Sequence, residues 1–171
     1  MKNKALFLDR DGVVNIDYGF VYHPENFHFL KGFFELCLHF QYINYKIIII
    51  TNQSGIARGY FTEEDLKKLH KYMIDKLRCE NIYITDIFYC TSVDETHPDR
   101  KPNPGLFLKA KEKYKLDMPS SLSIGDKERD IIAAKKAGVG LNILLTDNTE
   151  TTTVAEYKIN NLLEVLSLCI S

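Results

Sequence analysis

The chain has 171 residues, of which 45% are hydrophobic and 26% are charged, and its formal net charge is −1 at pH 7. The length suits one domain with a sizeable core, and the composition is ordinary for a globular protein. Because the net charge is so close to zero, composition gives no argument for nucleic acid or an anionic membrane as a partner. Any anion that the protein binds must be met by a local cluster of cations.

No segment of the sequence predicts a membrane span or an export signal. The longest apolar run, Ile47–Ile50, is far too short to cross a bilayer. Residues Met1–Lys4 lead into the first predicted strand without the apolar region of a signal peptide. The cysteines are scattered, with no Cys-x-x-Cys pair, which favours reduced thiols: Cys37, Cys79, Cys90 and Cys169. We therefore expect a cytoplasmic protein that forms one domain over residues 1–171.

The first predicted element is a short apolar run, Ala5–Leu8, that ends in Asp9-Arg10-Asp11-Gly12. A short apolar run bounded by a turn signal is typical of a buried strand. The aspartates would then lie at the carboxyl end of that strand, where open α/β sheets bind their ligands. Two neighbouring carboxylates repel each other unless a cation or a shared proton relieves the repulsion. Taken alone, the stretch fits a cation site and a solvated turn equally well.

The next stretch alternates loops, a helix and a second strand. The polar and aromatic segment Ile16–Pro24 has no helical periodicity and is interpreted as a loop over the strand end. Gly32–Asn44 carries apolar residues at spacings that predict an amphipathic helix. Lys46–Ile50 is apolar on both faces, as in a central strand of a parallel sheet covered by helices. It runs into a polar cluster, Thr51–Gly55.

The second half of the chain continues the alternation of strands and helices. We predict four further helices: one from Thr62 (N-cap, with Asp65) to about Cys79, one opened by Asn103-Pro104, Glu128–Ala137 and Asn160–Cys169. The predicted strands between them are Ile84–Cys90, Ser121–Asp126 (a strand and turn) and Gly140–Leu145. Thr146–Thr153 is predicted to be a loop. Alternation of this kind predicts an α/β fold with a parallel, Rossmann-like sheet and helices on both faces.

Polar and charged residues follow four of the predicted strands, directly at the strand end or, after the third strand, past an irregular stretch. They are Asp9, Asp11, Thr51, Asn52, Arg100, Lys101, Asp126, Lys127 and Asp130. If the strands are parallel neighbours, these side chains meet at one edge of the sheet. Carboxylates without clustered thiolates or imidazoles favour Mg²⁺, and Mg²⁺ beside Lys and Arg suits phosphoryl transfer. An aspartate can itself attack phosphorus, whereas a Walker-type phosphate loop is absent from the sequence.

The ordered set of motifs resembles the haloacid dehalogenase superfamily of phosphohydrolases. It consists of Asp9-x-Asp11-Gly-Val, Thr51, Lys101-Pro and Gly125-Asp126-x-x-x-Asp130. Longer strings resemble the branch of heptose-1,7-bisphosphate 7-phosphatases and histidinol-phosphate phosphatases: residues 7–12, 51–59, 100–105 and 124–127. The resemblance covers about residues 4–145, and the absence of a large insertion between motifs implies a core without a large cap.

The resemblance implies a role for each catalytic residue. Asp9 would be the nucleophile that becomes phosphorylated, and Asp11 would act first as general acid and then as general base. Thr51 and Lys101 would bind the phosphoryl oxygens. Mg²⁺ would be held by Asp9, the backbone carbonyl of Asp11, and Asp126. Arg10 is interpreted as structural.

Substrate contacts are implied for a second group of residues in the loop after the first strand and around the other strand ends. They are Asp17, Tyr18, Gly19, Phe20, Asn52, Gln53, Ser54, Arg100 and Lys127. Asp130 would support the site.

One segment departs from the pattern of this branch, whose members often bind structural zinc through Cys-x-His and then Cys-x-Cys. Here the first pair reads Cys90-Thr91-Ser92 and the second reads His97-Pro98-Asp99. Structural zinc sites use four nitrogen or sulfur ligands, so we predict no zinc. A three-ligand site of Cys90, His97 and Asp99 is the alternative. The remaining histidines, His70 among them, show no ligand spacing, and no site role is predicted for them.

The leading functional hypothesis is a Mg²⁺-dependent phosphatase that removes the 7-phosphate of a heptose 1,7-bisphosphate. The resemblance leaves open a histidinol-phosphate phosphatase, a polynucleotide 3′-phosphatase, and a catalytically silent binding module of the same fold. We expect a small-molecule sugar phosphate as partner, neither nucleic acid nor membrane, and a monomer.

Overall fold

The computed structural model describes residues 3–168, which form one parallel sheet with helices on both faces. The strands are β1 (Lys4–Leu8), β2 (Tyr45–Asn52), β3 (Asp86–Cys90), β4 (Leu122–Gly125), β5 (Leu141–Leu145) and β6 (Tyr157–Ile159). The α-helices within these residues are α1 (Phe33–Tyr42), α2 (Glu63–Cys79), α3 (Gly105–Tyr114) and α4 (Glu128–Lys136). The predicted α/β class with a parallel sheet is confirmed.

The strand order is β3-β2-β1-β4-β5-β6, which puts β1 at the centre. Phe7 of β1 pairs with Ile48 of β2 on one side and with Ser123 of β4 on the other. The chain winds outward from β1 to β3 and then returns to begin the other half at β4. The direction of winding therefore reverses between β1 and β4, and ligands of such sheets bind outside the carboxyl ends at that point.

Two apolar cores lie on opposite faces of this sheet. Leu6 and Ile47 belong to the core beneath α1 and α2, whereas their chain neighbours Phe7 and Ile48 belong to the core beneath α3 and α4. Side chains alternate along a strand, so strands covered on both faces must be apolar at every position. This is the physical reason for the unbroken apolar runs of β1 and β2.

The start of α2 matches its sequence signature. Thr62 Oγ1 accepts a hydrogen bond from the Asp65 amide at 3.1 Å, and Asp65 Oδ2 accepts one from the Thr62 amide at 2.9 Å. This reciprocal pair is the predicted capping box.

The structure corrects the prediction for the C-terminal part of the chain. The predicted helix Asn160–Cys169 is instead a 3₁₀-helix, Leu162–Ser167, and Cys169 lies outside the described residues. Strand β6 was not predicted, because of its three residues only Ile159 is buried and the sequence carries no alternating pattern there. At the other boundaries, β3 begins two residues later than expected and β2 extends through Thr51 and Asn52.

The connection from β1 to α1 folds back on itself as a short hairpin-like projection, here called the flap (residues 15–29). The Ile16 amide donates to the His28 carbonyl and the Leu30 amide to the Val14 carbonyl, both at 2.9 Å. The flap carries the predicted loop at its tip. None of the helices in the described part of the chain is long and apolar enough to cross a membrane.

Candidate active site

A cavity of about 340 Å³ opens at the carboxyl ends of the central strands. It is lined by Asp9, Asp11, Asp17, Gly19, Phe20, Thr51, Asn52, Gln53, Ser54, Arg58, Arg100, Lys101, Asp126, Lys127 and Arg129. The predicted residues therefore meet in one place, with two exceptions. Tyr18 packs against His28 at 5.8 Å between ring centroids instead of lining the cavity, and Asp130 lies buried behind the cavity wall.

The nucleophile candidate, Asp9, is the residue directly after β1. Its amide donates to the Ile124 carbonyl at 3.1 Å, so the end of β1 is tied to β4, and its side chain is buried. Asp126 follows β4 in the same way. The two carboxylates therefore flank the point at which the winding of the sheet reverses.

Lys101 is the buried cation of the site, and three oxygen atoms surround its ammonium group. Lys101 Nζ lies 2.8 Å from Asp9 Oδ1, 2.8 Å from the Ile50 carbonyl and 2.8 Å from Asp130 Oδ1. Burial by itself would lower the pKa of Lys101, but the carboxylates of Asp130 and Asp9 outweigh it and raise that pKa. Lys101 therefore carries a positive charge inside the protein.

Three carboxylates share this single buried ammonium. Ligand oxygens of Asp9, Asp126 and Asp130 all lie within 4.8 Å of one another. Burial, with the charges of Asp130 and Asp126, raises the pKa of Asp9 to about 8, although Lys101 opposes the shift. Burial also raises the pKa of Asp126. The cluster thus holds more negative charge than its own cation compensates.

The same cluster fits a hard divalent cation. Asp126 Oδ1 is buried without a hydrogen-bond partner in the described structure, so one carboxylate oxygen is available as a ligand. A Cβ atom on Gly12 would stand 2.3 Å from Asp126 Oδ2, so only glycine leaves room for this carboxylate. Asp130 is already engaged, because it pairs with Lys101 and its Oδ2 accepts from the Lys127 amide at 3.0 Å. Asp9 and Asp126 are therefore the carboxylates best placed to hold Mg²⁺.

The carboxylate of Asp11 is held by donors from three side chains and is separate from this cluster. Arg10 Nη2 lies 2.9 Å from both of its oxygens, Asn15 Nδ2 donates to Oδ1 at 3.0 Å, and Gln53 Nε2 donates to Oδ2 at 2.9 Å. The metal role predicted for Asp11 concerns its backbone carbonyl and stays a prediction.

The polar end of β2 supplies a hydroxyl group, that of Thr51, and an amide side chain, that of Asn52, which holds the Lys101 backbone. Thr51 is buried, and its Oγ1 accepts from Gln53 Nε2 at 2.9 Å, which leaves the hydroxyl hydrogen free to donate to a phosphoryl oxygen. Asn52 pairs with the backbone of Lys101 in both directions at 3.1 Å. Asn52 therefore also fixes the segment that carries the buried lysine.

Two arginines of the cavity, Arg58 and Arg129, were not predicted as site residues. Both are exposed, and neither makes a side-chain hydrogen bond or ion pair within residues 3–168. The other cations have partners: Lys127 Nζ lies 2.6 Å from Asp126 Oδ2, and Arg100 Nη1 donates to the Ser92 carbonyl at 2.8 Å. Arg58 lies in the motif string 51–59. Its place at the cavity depends on the path of the turn that follows β2, which the sequence does not reveal.

The segment that departs from the zinc pattern, residues 90–99, is held together by hydrogen bonds and an ion pair within the protein. His97 Nδ1 accepts from the Asp99 amide at 3.1 Å and lies 3.7 Å from Cys90 Sγ, while the Asp99 carboxylate pairs with Lys109. Asn103 Nδ2 donates to the carbonyl of Glu95 at 2.9 Å and to that of His97 at 3.0 Å. The prediction concerning zinc stays a prediction.

Comparisons with known proteins agree with the fold. Residues 99–167 match a family described as HAD-hydrolase-like. The solved structure of the D,D-heptose 1,7-bisphosphate phosphatase of B. bronchiseptica, complexed with magnesium and phosphate, superposes with a TM-score of 0.83 at 29% identity, over 96% of each chain. The chain belongs to the haloacid dehalogenase-like hydrolases.

Curated relatives narrow this class. A D-glycero-alpha-D-manno-heptose-1,7-bisphosphate 7-phosphatase of Campylobacter jejuni is 48% identical over 86% of this chain and 85% of its own length. A D-glycero-beta-D-manno-heptose-1,7-bisphosphate 7-phosphatase of Helicobacter pylori is 43% identical over 96% of this chain and 95% of its own length. Within its class, the chain belongs to the family of D-glycero-D-manno-heptose-1,7-bisphosphate 7-phosphatases.

Proposed function

We propose that this protein is a phosphoric monoester hydrolase that removes the 7-phosphate from D-glycero-D-manno-heptose 1,7-bisphosphate. The observation that carries the chemistry is the buried cluster of Asp9, Lys101 and Asp126 at the carboxyl edge of the sheet. The identity of 48% and 43% to relatives named for this reaction supports the substrate. Because those two relatives are named for opposite anomers, we assign the position of hydrolysis and not the anomer.

In the first step, a carboxylate oxygen of Asp9 attacks phosphorus and the bond from phosphorus to the sugar oxygen breaks. The leaving sugar oxygen takes a proton from the carboxyl group of Asp11, which becomes a carboxylate. The Thr51 hydroxyl and the Lys101 ammonium donate hydrogen bonds to the phosphoryl oxygens, whose negative charge must be stabilised during transfer.

In the second step, the Asp11 carboxylate takes a proton from water while the water oxygen attacks phosphorus. The bond between phosphorus and the Asp9 oxygen breaks, inorganic phosphate leaves, and Asp9 returns as a carboxylate. Asp11 ends in the protonated form with which it started. One aspartate thus serves both steps, and the three donor side chains around it keep it in place.

We propose Mg²⁺ as the cofactor, held by Asp9, Asp126 and the backbone carbonyl of Asp11. When bound, the ion offsets the negative charge that phosphoryl oxygens and carboxylates bring together. The gathering of three carboxylates around one ammonium supports this assignment. For the segment of Cys90 and His97 we propose no zinc.

The unpaired arginines support a substrate with a second phosphate. Arg58 and Arg129 line the cavity but have no carboxylate partner in the described structure, whereas Lys101 pairs with Asp9 and Asp130. Guanidinium groups bind phosphate oxygens well, often through two hydrogen bonds. A bisphosphate would place one phosphate at Asp9 and the other near these arginines.

We also propose that residues 1–171 form one domain that acts in the cytoplasm as a monomer, without nucleic acid or membrane partners. The near-neutral net charge supports the absence of polyanionic partners.

The proposed reaction is tested by phosphate release from heptose 1,7-bisphosphate, histidinol phosphate and a 3′-phosphorylated oligonucleotide. We expect fastest release from the heptose bisphosphate with Mg²⁺ and none in EDTA. Fastest release from histidinol phosphate would overturn the substrate, and no release from any of the three would overturn the enzyme.

Replacement of the nucleophile gives the second test. Asp9→Asn should lower kcat by roughly 10³-fold or more, because an amide cannot form the acyl phosphate. The circular dichroism spectrum should remain that of the wild type. Activity close to wild type in a folded Asp9→Asn variant would show that another group attacks phosphorus.

A further inference from the structure

The side chain of Arg10 is completely buried between the two catalytic aspartate positions and the flap. Its relative exposure is 0%, and it makes three kinds of contact. Nη2 lies 2.9 Å from both carboxylate oxygens of Asp11 and donates to the Val21 carbonyl of the flap at 2.7 Å. Nη1 lies 3.3 Å from Nε2 of His70, which belongs to α2. One guanidinium thus connects an aspartate, the flap and a helix.

His70 faces Arg10 as a neutral acceptor. Burial, together with the neighbouring charge of Arg10, lowers the pKa of His70 to about 3, although the Asp11 charge opposes the shift. A neutral imidazole can accept the N–H of Arg10 at Nε2, whereas an imidazolium would offer only donors. The imidazole therefore holds the guanidinium at Nη1, whereas Nε and Nη2 contact Asp11.

The contacts of Arg10 are more geometrically specific than the stability of the fold requires. A buried ion pair is expensive in desolvation and can often be replaced by apolar residues without loss of stability. Here, in addition, the fixed fork of donors of a guanidinium sets both the position of the Asp11 carboxylate and the distance to the flap. Its sequence neighbours are the two aspartates with different proposed tasks.

We propose that Arg10, held by His70, is a positioning residue that keeps the Asp11 carboxylate where it can give a proton to the leaving sugar oxygen and take one from water. The inference rests on the proposed function, in which Asp11 is the acid and base. Arg10 touches neither phosphorus nor the sugar in this assignment; it acts through Asp11. Proton transfer by a positioned side chain contributes typically 10²–10⁴-fold, so its misplacement should be measurable.

Two substrates separate the positioning role from a general structural one. Phosphorylation of Asp9 by 4-nitrophenyl phosphate needs no proton donor, because nitrophenolate is a good leaving group. Phosphorylation by the heptose bisphosphate does need one, and hydrolysis of phospho-Asp9 needs a base whichever substrate formed it. Rapid-quench measurements at saturating substrate and Mg²⁺ give the three rates.

For Arg10→Met we expect phosphorylation by the heptose bisphosphate and hydrolysis of phospho-Asp9 each to slow by roughly 10²-fold. Phosphorylation by 4-nitrophenyl phosphate should stay within about 3-fold of the wild type, so phosphoenzyme accumulates with that substrate. The matched control is Arg78→Met, which removes an exposed arginine of α2 and should change none of the three rates.

His70 supplies a second, milder pair of variants in case Arg10→Met does not fold. His70→Leu removes the acceptor behind Arg10 and should slow the two proton-dependent rates by roughly 10-fold. His70→Gln keeps an oxygen acceptor and should restore them to within about 3-fold.

The proposal is overturned if Arg10→Met, or His70→Leu where Arg10→Met fails to fold, slows all three rates equally or slows none. A wild-type enzyme that is not phosphorylated by either substrate would instead overturn the proposed function. The two failures are therefore distinguishable.

Discussion

At the scale of single residues, the site is defined by an imbalance of charge. Asp9, Asp126 and Asp130 crowd around one ammonium, and the unpaired oxygen of Asp126 points to where a further cation belongs. Asp130 is the carboxylate that already pairs with Lys101 through Oδ1 and accepts from the Lys127 amide through Oδ2. Three residues that look alike in the sequence thus have different proposed roles: Asp9 as nucleophile, Asp126 as metal ligand and Asp130 as partner of the lysine.

The buried His70 predicts how stability depends on pH. The pKa of His70 in the folded protein, about 3, lies below the 6.5 of the free side chain. Between these two pH values the imidazole is protonated in the unfolded chain but neutral in the folded protein. The contribution of the neutral imidazole is complete above pH 6.5 and is lost as pH falls toward 3. In that window the free energy of unfolding should fall, on account of this group, by up to about 1.4 kcal/mol per pH unit.

His70→Gln should therefore flatten the acid side of the stability profile relative to the wild type, measured by urea unfolding in EDTA. His28→Gln, which removes an exposed histidine, is the control and should leave the slope unchanged. Equal slopes for His70→Gln and the wild type would mean that His70 takes up its proton in the folded protein too.

At the scale of elements, close approach of strand ends builds the site. Gly12 has φ +94° after β1, and its missing side chain admits Asp126 from the end of β4. Gly125 plays a similar part at the end of β4, where a Cβ would stand 2.3 Å from the Cβ of Asp130. Glycine at both strand ends therefore lets carboxylates from different elements share one small volume.

Gly12→Ala should displace Asp126 and weaken Mg²⁺ binding by several-fold. The measurement is the Mg²⁺ dependence of the melting temperature, since a ligand stabilises the fold in proportion to its affinity. Gly59→Ala is a matched control, because Gly59 also has a positive φ of 75° but has open space around it. It should cost stability while leaving the Mg²⁺ dependence intact; the same weakening in both variants would rule out displacement of Asp126.

Local patterns in the sequence predicted the elements that bear strong signals. The apolar runs of β1 and β2 and the capping box at Thr62 identified their elements because the physical cause is local. Strand β6 was missed because its three mostly exposed residues carry no strand pattern, and they form a strand only through pairing with β5. His70 and Arg129 were missed for a related reason, since nothing near them in the sequence shows which helix face meets the site.

At the scale of the whole molecule, net charge and local charge differ. The chain carries −1 overall, yet Arg58 and Arg129 at one cavity have no ion-pair partner among residues 3–168. We expect Arg58→Gln and Arg129→Gln each to raise KM for the heptose 1,7-bisphosphate by roughly 10-fold, since a charged hydrogen bond contributes about 1.5–3 kcal/mol. The KM for the heptose 7-monophosphate should change little, and kcat should change little for both.

Lys111→Gln provides the control, because it removes an exposed positive charge on α3 away from the cavity. If all three variants raise KM alike, the effect is one of overall charge. If the monophosphate loses as much affinity as the bisphosphate, the arginines do not read the second phosphate.

The surroundings of Lys101 have a consequence for the order of events. An ammonium group has three N–H bonds, and three oxygen atoms already stand 2.8 Å from it, one of them from Asp9. Because the contacts with Asp9 and with the Ile50 carbonyl are hydrogen bonds, a phosphoryl oxygen that approaches this lysine competes with Asp9 for its donors. If the phosphoryl oxygen replaces Asp9 as the acceptor of Lys101, substrate binding and release of the Asp9 carboxylate from Lys101 occur in the same event. In the proposed mechanism, the hydrogen bond from Lys101 thus restrains the attacking carboxylate of Asp9 until a phosphoryl group arrives.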